Sequence, residues 1–370
     1  MARPLRVLIV DDSALMRHRL SRIIGADPSY EVVGHAKNGA ECLAQLPTLQ
    51  PDVMTLDVEM PEMDGLSTLR RVMETRPTPV LMVSSLTESG ARTTLDALAL
   101  GAVDYLTKPA AGAPRGAGGF GEELLRKLAT TARASARRAL PSVGRPAPAR
   151  AVPPPAAVAT SQPGRADALV VIGSSTGGPQ ALDCLFDRFS PGASATFLIV
   201  QHMPPLFTRS LAERLARRSG MSVREGEEGD RLTPGHVLVA PGGSHLTVGR
   251  DHRVHLDAGP PVHGVRPAID RTLSSVADCW TGRGLVVILT GMGVDGASGA
   301  RSLRARGADV FAQDEETSVV YGMPRAVVEA RVARAVLPLE GMAPAIERWV
   351  ALGATDRISN TYEKGRVAAL

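Results

Sequence analysis

Thirteen residues beginning at Val170, VVIGSSTGGPQAL, carry an apolar run into a knot of Gly, Ser and Thr and then into a Pro-led helical pattern. Such a knot suits two chemistries. As a phosphate loop it fits poorly. It is neither GxGxxG nor a loop ending in GK[ST], and where a dinucleotide fold would place an acid at the end of the next strand it has Gln201 and His202. As a nucleophile elbow it fits: Gly173, Ser175 and Gly177 form G-x-S-x-G, a sharp strand-to-helix turn that exposes one serine. Small neighbours let the backbone turn tightly and let a substrate approach. Without a partner base the same serine would read as a helix N-cap.

A serine hydroxyl is a poor nucleophile at neutral pH and needs a base to take its proton. TFLIVQHMP puts His202 at the carboxyl end of the next strand-like run, and GLVVILTGMGVDG puts Asp295 in a Gly-rich turn after another, just before a helix. Both are expected at the same sheet edge as Ser175. Of the other seven histidines, His245 in PGGSH also follows a strand and is the main competitor; His263 in VHGVRP, in a loop, is a weaker one. In this reading His202 is the base, and Asp295 holds the imidazole and stabilises its charged form. Backbone N–H groups at Thr176 and Met292 are the candidates for an oxyanion hole, each worth roughly 3 kcal/mol of barrier. The order Ser…His…Asp differs from the Ser…Asp/Glu…His of α/β-hydrolases, so the triad logic sits on another scaffold.

A second constellation precedes this one. Asp11 and Asp12 follow the run RVLIV, Asp57 ends VMTLD, Ser84 ends VLMV, and Lys108 ends DYLT. At the carboxyl ends of parallel strands these side chains converge. Crowded carboxylates raise one another's pKa unless a cation sits between them, and an all-oxygen set with open positions suits Mg²⁺. Asp57 can then attack a phosphoryl group, with Lys108 pairing with one phosphate oxygen and Ser84 donating to another.

The elements that must position these groups alternate along the chain. RVLIV, EVVGHA, DVMTLDV, VLMVSS and DYLTKP read as buried strands with helices between them, such as Ser13 to Gly25 and Glu88 to Gly101. ALVVIG, TFLIVQH, GHVLVAP, GLVVILT and DVFAQD repeat the pattern, with helices from Gly178 to Phe189, Phe207 to Ser219, Pro267 to Trp280 and Asp295 to Arg306, and a hairpin over HLTVGRDHRVHLD turning at Gly249 to Asp251. The fold class is therefore α/β, two doubly wound parallel-sheet domains over 1–125 and 166–352. Between Glu123 and Asp167 there is no acid, but eight Lys or Arg and seven Pro, which makes 126–165 a Pro/Ala/Arg-rich linker, extended from Pro141 to Pro163. Residues 353–370 read as a flexible tail.

Composition excludes other classes. Apolar content of 44% and charge content of 22%, with a net charge of +4, are those of a globular protein. Four Tyr, six Phe and two Trp are too few stacking platforms for a single-strand nucleic-acid binder, and no helix-turn-helix pattern or basic recognition helix accompanies the basic linker. Cys42, Cys184 and Cys279 have no metal-type spacing, which points to a reducing compartment. No signal-peptide core and no apolar run near the roughly 20 residues of a membrane helix is present, so a cytoplasmic protein without membrane insertion is expected.

VDDS, the LDVEMPEMDG run around Asp57, MVSSLT and TKP resemble the receiver domain of two-component response regulators over residues 1 to about 125. The resemblance implies a flavodoxin-like sheet, Asp57 as phosphoacceptor, and Mg²⁺ among Asp11, Asp12, Asp57 and the Glu59 backbone carbonyl. It makes Ser84 and Tyr105 the switch hydroxyl and aromatic, and a histidine kinase the phosphodonor. IGSSTGGPQAL, VQHMPPLFT, VAPGGSHLTV, HGVRPAIDRTLSSVA and LTGMGVDGASG extend the likeness. The whole chain resembles the chemotaxis response-regulator protein-glutamate methylesterases, with Ser174 standing where alanine is usual. That implies a Rossmann-like esterase domain without a cofactor, acting as a monomer on γ-glutamyl methyl esters of chemoreceptor helices and, in some members, deamidating receptor glutamines.

Two other functions compete: the same hydrolase in a pathway besides swimming, and a phosphorylation-gated interaction module with a vestigial triad. In the resembled family the unphosphorylated receiver covers the esterase cleft. Swinging such a contact from nearly closed to nearly open takes about 5.5 kcal/mol of differential stabilisation, while the linker keeps the domains at roughly millimolar mutual concentration. A fragment from Asp167 onward is expected to hydrolyse ester faster than the unphosphorylated chain. An equal or slower rate defeats the lid reading.

Overall fold

Each apolar run named in the first 110 residues forms a strand of one parallel sheet in the computed structural model, which describes residues 3–109, 119–138, 168–189 and 195–351. The expected extended linker from Pro141 to Pro163 and the tail from 353 lie outside the described residues. The chain divides into two units, split between 156 and 157.

The first unit runs β1 (Leu5–Val10), α1 (Ala14–Ile24), β2 (Tyr30–Ala36), α2 (Gly39–Leu49), β3 (Val53–Asp57), α3 (Gly65–Thr75), β4 (Val80–Ser84), α4 (Glu88–Leu100), β5 (Asp104–Thr107) and α5 (Phe120–Arg138). Its strand order is β2-β1-β3-β4-β5, all parallel. Side-chain N-caps set the helix starts: Ser13, Asn38, Asp64 and Thr87 each accept a backbone N–H of the first turn. β3 and β4 are buried along their whole length, as strands covered by helices on both faces must be. α5 runs through EELLRKLATTARASARR, whose composition is helical, and so crosses the expected domain boundary at 125, with Leu128, Thr131 and Ala134 buried.

The second unit runs β6 (Ala168–Ser174), α6 (Gly178–Phe186), β7 (Thr196–Gln201), α7 (Phe207–Ser219), β8 (Ser222–Glu225), β9 (His236–Val239), β10 (His245–Val248), β11 (Val254–Asp257), α8 (Ile269–Cys279), β12 (Arg283–Ile288), α9 (Ala297–Ala305), β13 (Asp309–Gln313), α10 (Met323–Glu329), β14 (Ala335–Leu337) and α11 (Leu339–Ala351). Seven strands form a parallel sheet in the order β14-β13-β12-β6-β7-β9-β8, with edge strands β8 and β14 beyond those expected. β10 and β11 form the expected hairpin, though its turn takes in 249–253, with Gly249 N–H donating to Arg253 O.

Three helix ends differ from expectation. α6 stops at Phe186, and Phe189 instead packs its ring between Phe186 and Phe197 at 5.2 and 5.4 Å. α8 starts at Ile269 because Ala268 is extended. α9 starts at Ala297 because Gly296 takes φ +92°. Successive strands leave β6 first on the β7 side and then on the β12 side, so the crevice of this sheet opens at the carboxyl end of β6.

Phe197 is fully buried at the β7 end of the aromatic trio that holds α6 to β7. Phe197→Ala is expected to destabilise the second unit by about 3–5 kcal/mol and leave the first unit's denaturant transition in place. A loss below about 1 kcal/mol would mean the trio does not carry this packing.

Candidate active site and phosphoacceptor pocket

The register of β6 and β7 pairs their last residues, Ser174 with Gln201. Ser175 and His202 are thus the first residues beyond the ladder on adjacent strands, with His202 N–H donating to Ser174 O at 3.1 Å. On the other side of β6, the loop after β12 carries Asp295. Ser175 N–H donates to Thr290 O at 3.0 Å, fastening this loop to the elbow. A Cβ on Gly291 would lie 2.9 Å from Ser175 Cβ, so the loop passes directly against the serine.

His202 Nε2 is 2.8 Å from Asp295 Oδ2. The pair joins β7 to β12 with β6 between them, a gap of two strand spacings, or about 10 Å. The imidazole must therefore lie over the end of β6, where Ser175 emerges. Among the described residues the Ser175 hydroxyl holds no hydrogen bond.

Asp295 is 2% exposed and takes three amide N–H donors as well: Ile269 at 2.7 Å, Asp270 at 2.8 Å and Gly296 at 3.0 Å. Burial pushes its carboxyl up, but the His202 contact and the Asp270 and Ile269 amides outweigh burial and hold it below its ordinary value. Asp295 therefore stabilises the fold through the neutral range, a contribution lost only as pH falls below about 4.

The neighbouring residues separate the competitors. Ser174 is fully buried, with its hydroxyl donated to Gln201 Oε1 at 2.6 Å, so only Ser175 is presented. His245 is 1% exposed; its Nδ1 accepts Ala268 N–H and its Nε2 faces Pro260 O, so it anchors the start of α8 rather than meeting a serine. His263 sits in a tight turn with Gly264, both at positive φ, and is hydrogen-bonded to Asp270 at 3.0 Å, with a ring nitrogen within 4.8 Å of an Asp295 carboxylate oxygen. Sequence reasoning gave no role to Thr290, Gln201 or the α8 amides. Thr290 hands its carbonyl to Ser175, its hydroxyl to Thr176 O, and its N–H to the buried Gln313 Oε1. Backbone donors leave no signature in residue type, and only the topology reveals them.

In the first unit the structure brings the other constellation together. Ligand oxygens of Asp11, Asp12 and Asp57 lie within 4.8 Å of one another. Lys108 Nζ is 2.6 Å from Asp57 Oδ2 and 3.0 Å from Asp11 Oδ2, yet the second contact leaves the buried Asp11 Oδ2 without an aligned hydrogen bond. Glu59 N–H donates to the Asp57 carboxylate, and Arg17 ties the Asp11 and Asp12 carbonyls at 2.7 and 2.9 Å. Ser84 is fully buried beside the end of β4, and Tyr105 is buried on β5. Burial pushes the Asp57 carboxyl up to about 6 even though Lys108 pulls the other way. An orphaned carboxylate oxygen and a carboxylate short of counter-charge fit a hard cation with oxygen ligands.

These features define a response regulator coupled to a hydrolase-type α/β domain, and comparison with known proteins agrees. The family described as response regulator receiver domain matches residues 7–113, and that described as CheB methylesterase matches 170–346. The chain is 49% identical over 356 residues to a protein-glutamate methylesterase/protein-glutamine glutaminase of Symbiobacterium thermophilum, covering 95% of this chain and 98% of that one. It is 48% identical over 347 residues to a Pseudomonas aeruginosa protein of the same description, numbered 2, with 93% and 96% covered. The Thermotoga maritima CheB methylesterase catalytic domain is 42% identical, with a TM-score of 0.47 over 49% of this chain and 97% of that one. The chain belongs to the protein-glutamate methylesterase/protein-glutamine glutaminase family. No helix among the described residues is long and apolar enough to cross a membrane.

Because the folded chain holds a proton on Asp57 up to about pH 6 and an unfolded one releases it near pH 4, the stability this group lends is present below about pH 4 and is lost as pH rises to 6. At pH 7 without metal, buried ionised Asp57 costs up to about 3 kcal/mol. Asp57→Asn is expected to raise the melting temperature of the metal-free first unit at pH 7, and Mg²⁺ to narrow the gap by stabilising only the wild type. An unchanged or lower melting temperature in the variant overturns this account of the pocket.

Proposed function

We propose that Ser175, His202 and Asp295 form the triad with which this methylesterase hydrolyses γ-glutamyl methyl esters on chemoreceptor helices. The observation that carries the proposal is the 2.8 Å His202–Asp295 pair stretched across the end of the serine strand. With Nε2 committed to Asp295, Nδ1 is the ring nitrogen left to take the Ser175 proton. Ser175 Oγ then bonds to the ester carbon, and the imidazolium returns the proton to the departing methoxide as methanol. Water, deprotonated by the same nitrogen, attacks the acyl-enzyme and frees the glutamate and Ser175. A glutamine side chain follows the same path with ammonia leaving, in keeping with the glutaminase activity in its relatives' names.

Asp295 serves by staying ionised, so that imidazolium forms next to a negative charge. The oxyanion donors are Thr176 and Met292: Thr176 follows the nucleophile in the elbow, and the loop carrying Met292 abuts it, a Cβ on Gly291 lying 2.9 Å from Ser175 Cβ. The reaction needs no cofactor in this domain.

In the receiver unit, Asp57 is the phosphoacceptor, taking a phosphoryl group from a kinase's phosphohistidine as the P–N bond breaks. Asp11, Asp12, Asp57 and the Glu59 carbonyl would hold Mg²⁺, which offsets the charge of the carboxylates and of the incoming phosphoryl oxygens. Lys108 pairs with a phosphate oxygen in place of Asp57, while Ser84 and Tyr105 respond to the new charge. The protein works as a cytoplasmic monomer on receptor and kinase, with no nucleic-acid partner.

Methanol release from methylated receptor tests both halves. Ser175→Ala is expected to lower it by about 10³-fold or more. Acetyl phosphate with Mg²⁺ is expected to stimulate the wild type and leave Asp57→Asn at its basal rate. A Ser175→Ala protein that still turns over removes the triad, and an Asp57→Asn protein that is still stimulated removes the phosphoacceptor.

A further inference from the structure

The two adjacent serines of the elbow do different things. Ser174 and Gln201, 0% and 1% exposed, share the last rung of the β6–β7 ladder, and Ser174 Oγ donates to Gln201 Oε1 at 2.6 Å. Two backbone carbonyls fix the sense of the amide: they can only accept, so Nε2 faces them, donating to Ser175 O at 3.0 Å and His202 O at 3.3 Å, and Oε1 is left to accept from Ser174. One side chain thus holds the carbonyls of the two residues that leave the ladder at the reacting edge.

Gly178 makes the room. A Cβ there would lie 2.0 Å from Gln201 Oε1 and 2.9 Å from Ser174 Cβ, and its N–H gives Ser175 O a second donor at 2.7 Å. The last backbone bond between the two chains is His202 N–H to Ser174 O at 3.1 Å, and beyond it the Gln201 amide is what ties Ser175 O to His202 O. An alanine at 174 would leave the Gln201 carbonyl oxygen buried without this donor, and the amide would be held from its Nε2 end alone.

We propose that Ser174 and Gln201 are positioning residues, a buried clamp that sets the spacing between Ser175 and His202. The inference rests on the reading of those two residues as nucleophile and base. A displacement of about 1 Å at a reacting pair can cost on the order of 100-fold in rate, and a clamp of this kind controls a fraction of that distance.

The test uses the full chain and a small fluorophosphonate, which reports serine reactivity without receptor binding. Ser174→Ala and Gln201→Met are each expected to slow its inactivation rate by about tenfold. They should also lower kcat for methanol release while KM stays within about twofold, and each single variant strands a buried polar group and melts lower. The double variant strands none between the two positions, so its melting temperature should recover towards wild type while its inactivation stays slow. A double variant that regains wild-type reactivity along with its melting temperature overturns the clamp, and it decides the matter even where a single variant fails to fold. Ser175→Ala serves as the separate control: if it reacts like wild type, the nucleophile assignment fails, whatever the clamp variants do.

Discussion

The sheet edge of the second unit is organised around one buried carboxylate that is kept ionised. Asp295 sits at the amino end of α8 and takes the Ile269 and Asp270 amides, and the Gly296 amide from its own turn, before it meets His202. Helix amino ends carry unsatisfied N–H groups and a partial positive charge. Spending two of these on a side chain from another element satisfies the helix and desolvates the acid at once. His245, by accepting the preceding amide at Ala268, completes the same helix start. The contact is therefore structural and chemical together: α8, the β12 loop and the end of β7 meet at one residue.

The receiver unit uses the opposite arrangement for the opposite purpose. Asp57 and Asp295 are 3% and 2% exposed, yet one carboxyl is pushed up to about 6 and the other held below its ordinary value. Burial is common to both, so the donors decide. Asp295 has three amides and an imidazole around it. Asp57 has one amide and one ammonium, and shares that ammonium with Asp11. A carboxylate saturated with donors is a stable counter-ion and a poor nucleophile. One left short of them is ready for a cation and a phosphoryl group. Neither environment is visible in the residue type; both are made by what the sheet edge places nearby.

Much of this was legible in the sequence, for physical reasons that also mark where legibility ends. Strands buried on both faces read as continuous apolar runs, which is why RVLIV, ALVVIG and TFLIVQH gave the strands and, with them, the edge where Asp57, Ser175 and His202 emerge. Ser13 announced a helix start because capping is a side-chain property. Edge strands β8, half polar, and β14, only three residues long, did not stand out. The choice of His202 over His245 followed from strand order alone, whereas the duty His245 does perform, accepting a backbone N–H, has no sequence signal. Gln201 and Thr290 were invisible for the same reason: a buried polar residue at a strand end reads as a strand end until its partners are seen.

Strand order also accounts for the unfamiliar sequence order of the proposed triad. β6, which leads to Ser175, lies between β7, which leads to His202, and β12, which leads to Asp295. The histidine and the aspartate therefore come from opposite sides and must meet above the serine, which makes their hydrogen bond a bridge over the elbow. Such a bridge works only if the elbow stays low. Gly177 at φ +76° and Gly291 against Ser175 keep it so, since a Cβ at either would strike Val319 or the serine itself. Gly177 of GSSTGG and Gly291 of GMGVDG are thus required by a crossing of side chains. The chemistry at this rim follows from how closely three strand ends approach, and the residues that permit the approach are as specific as those that react.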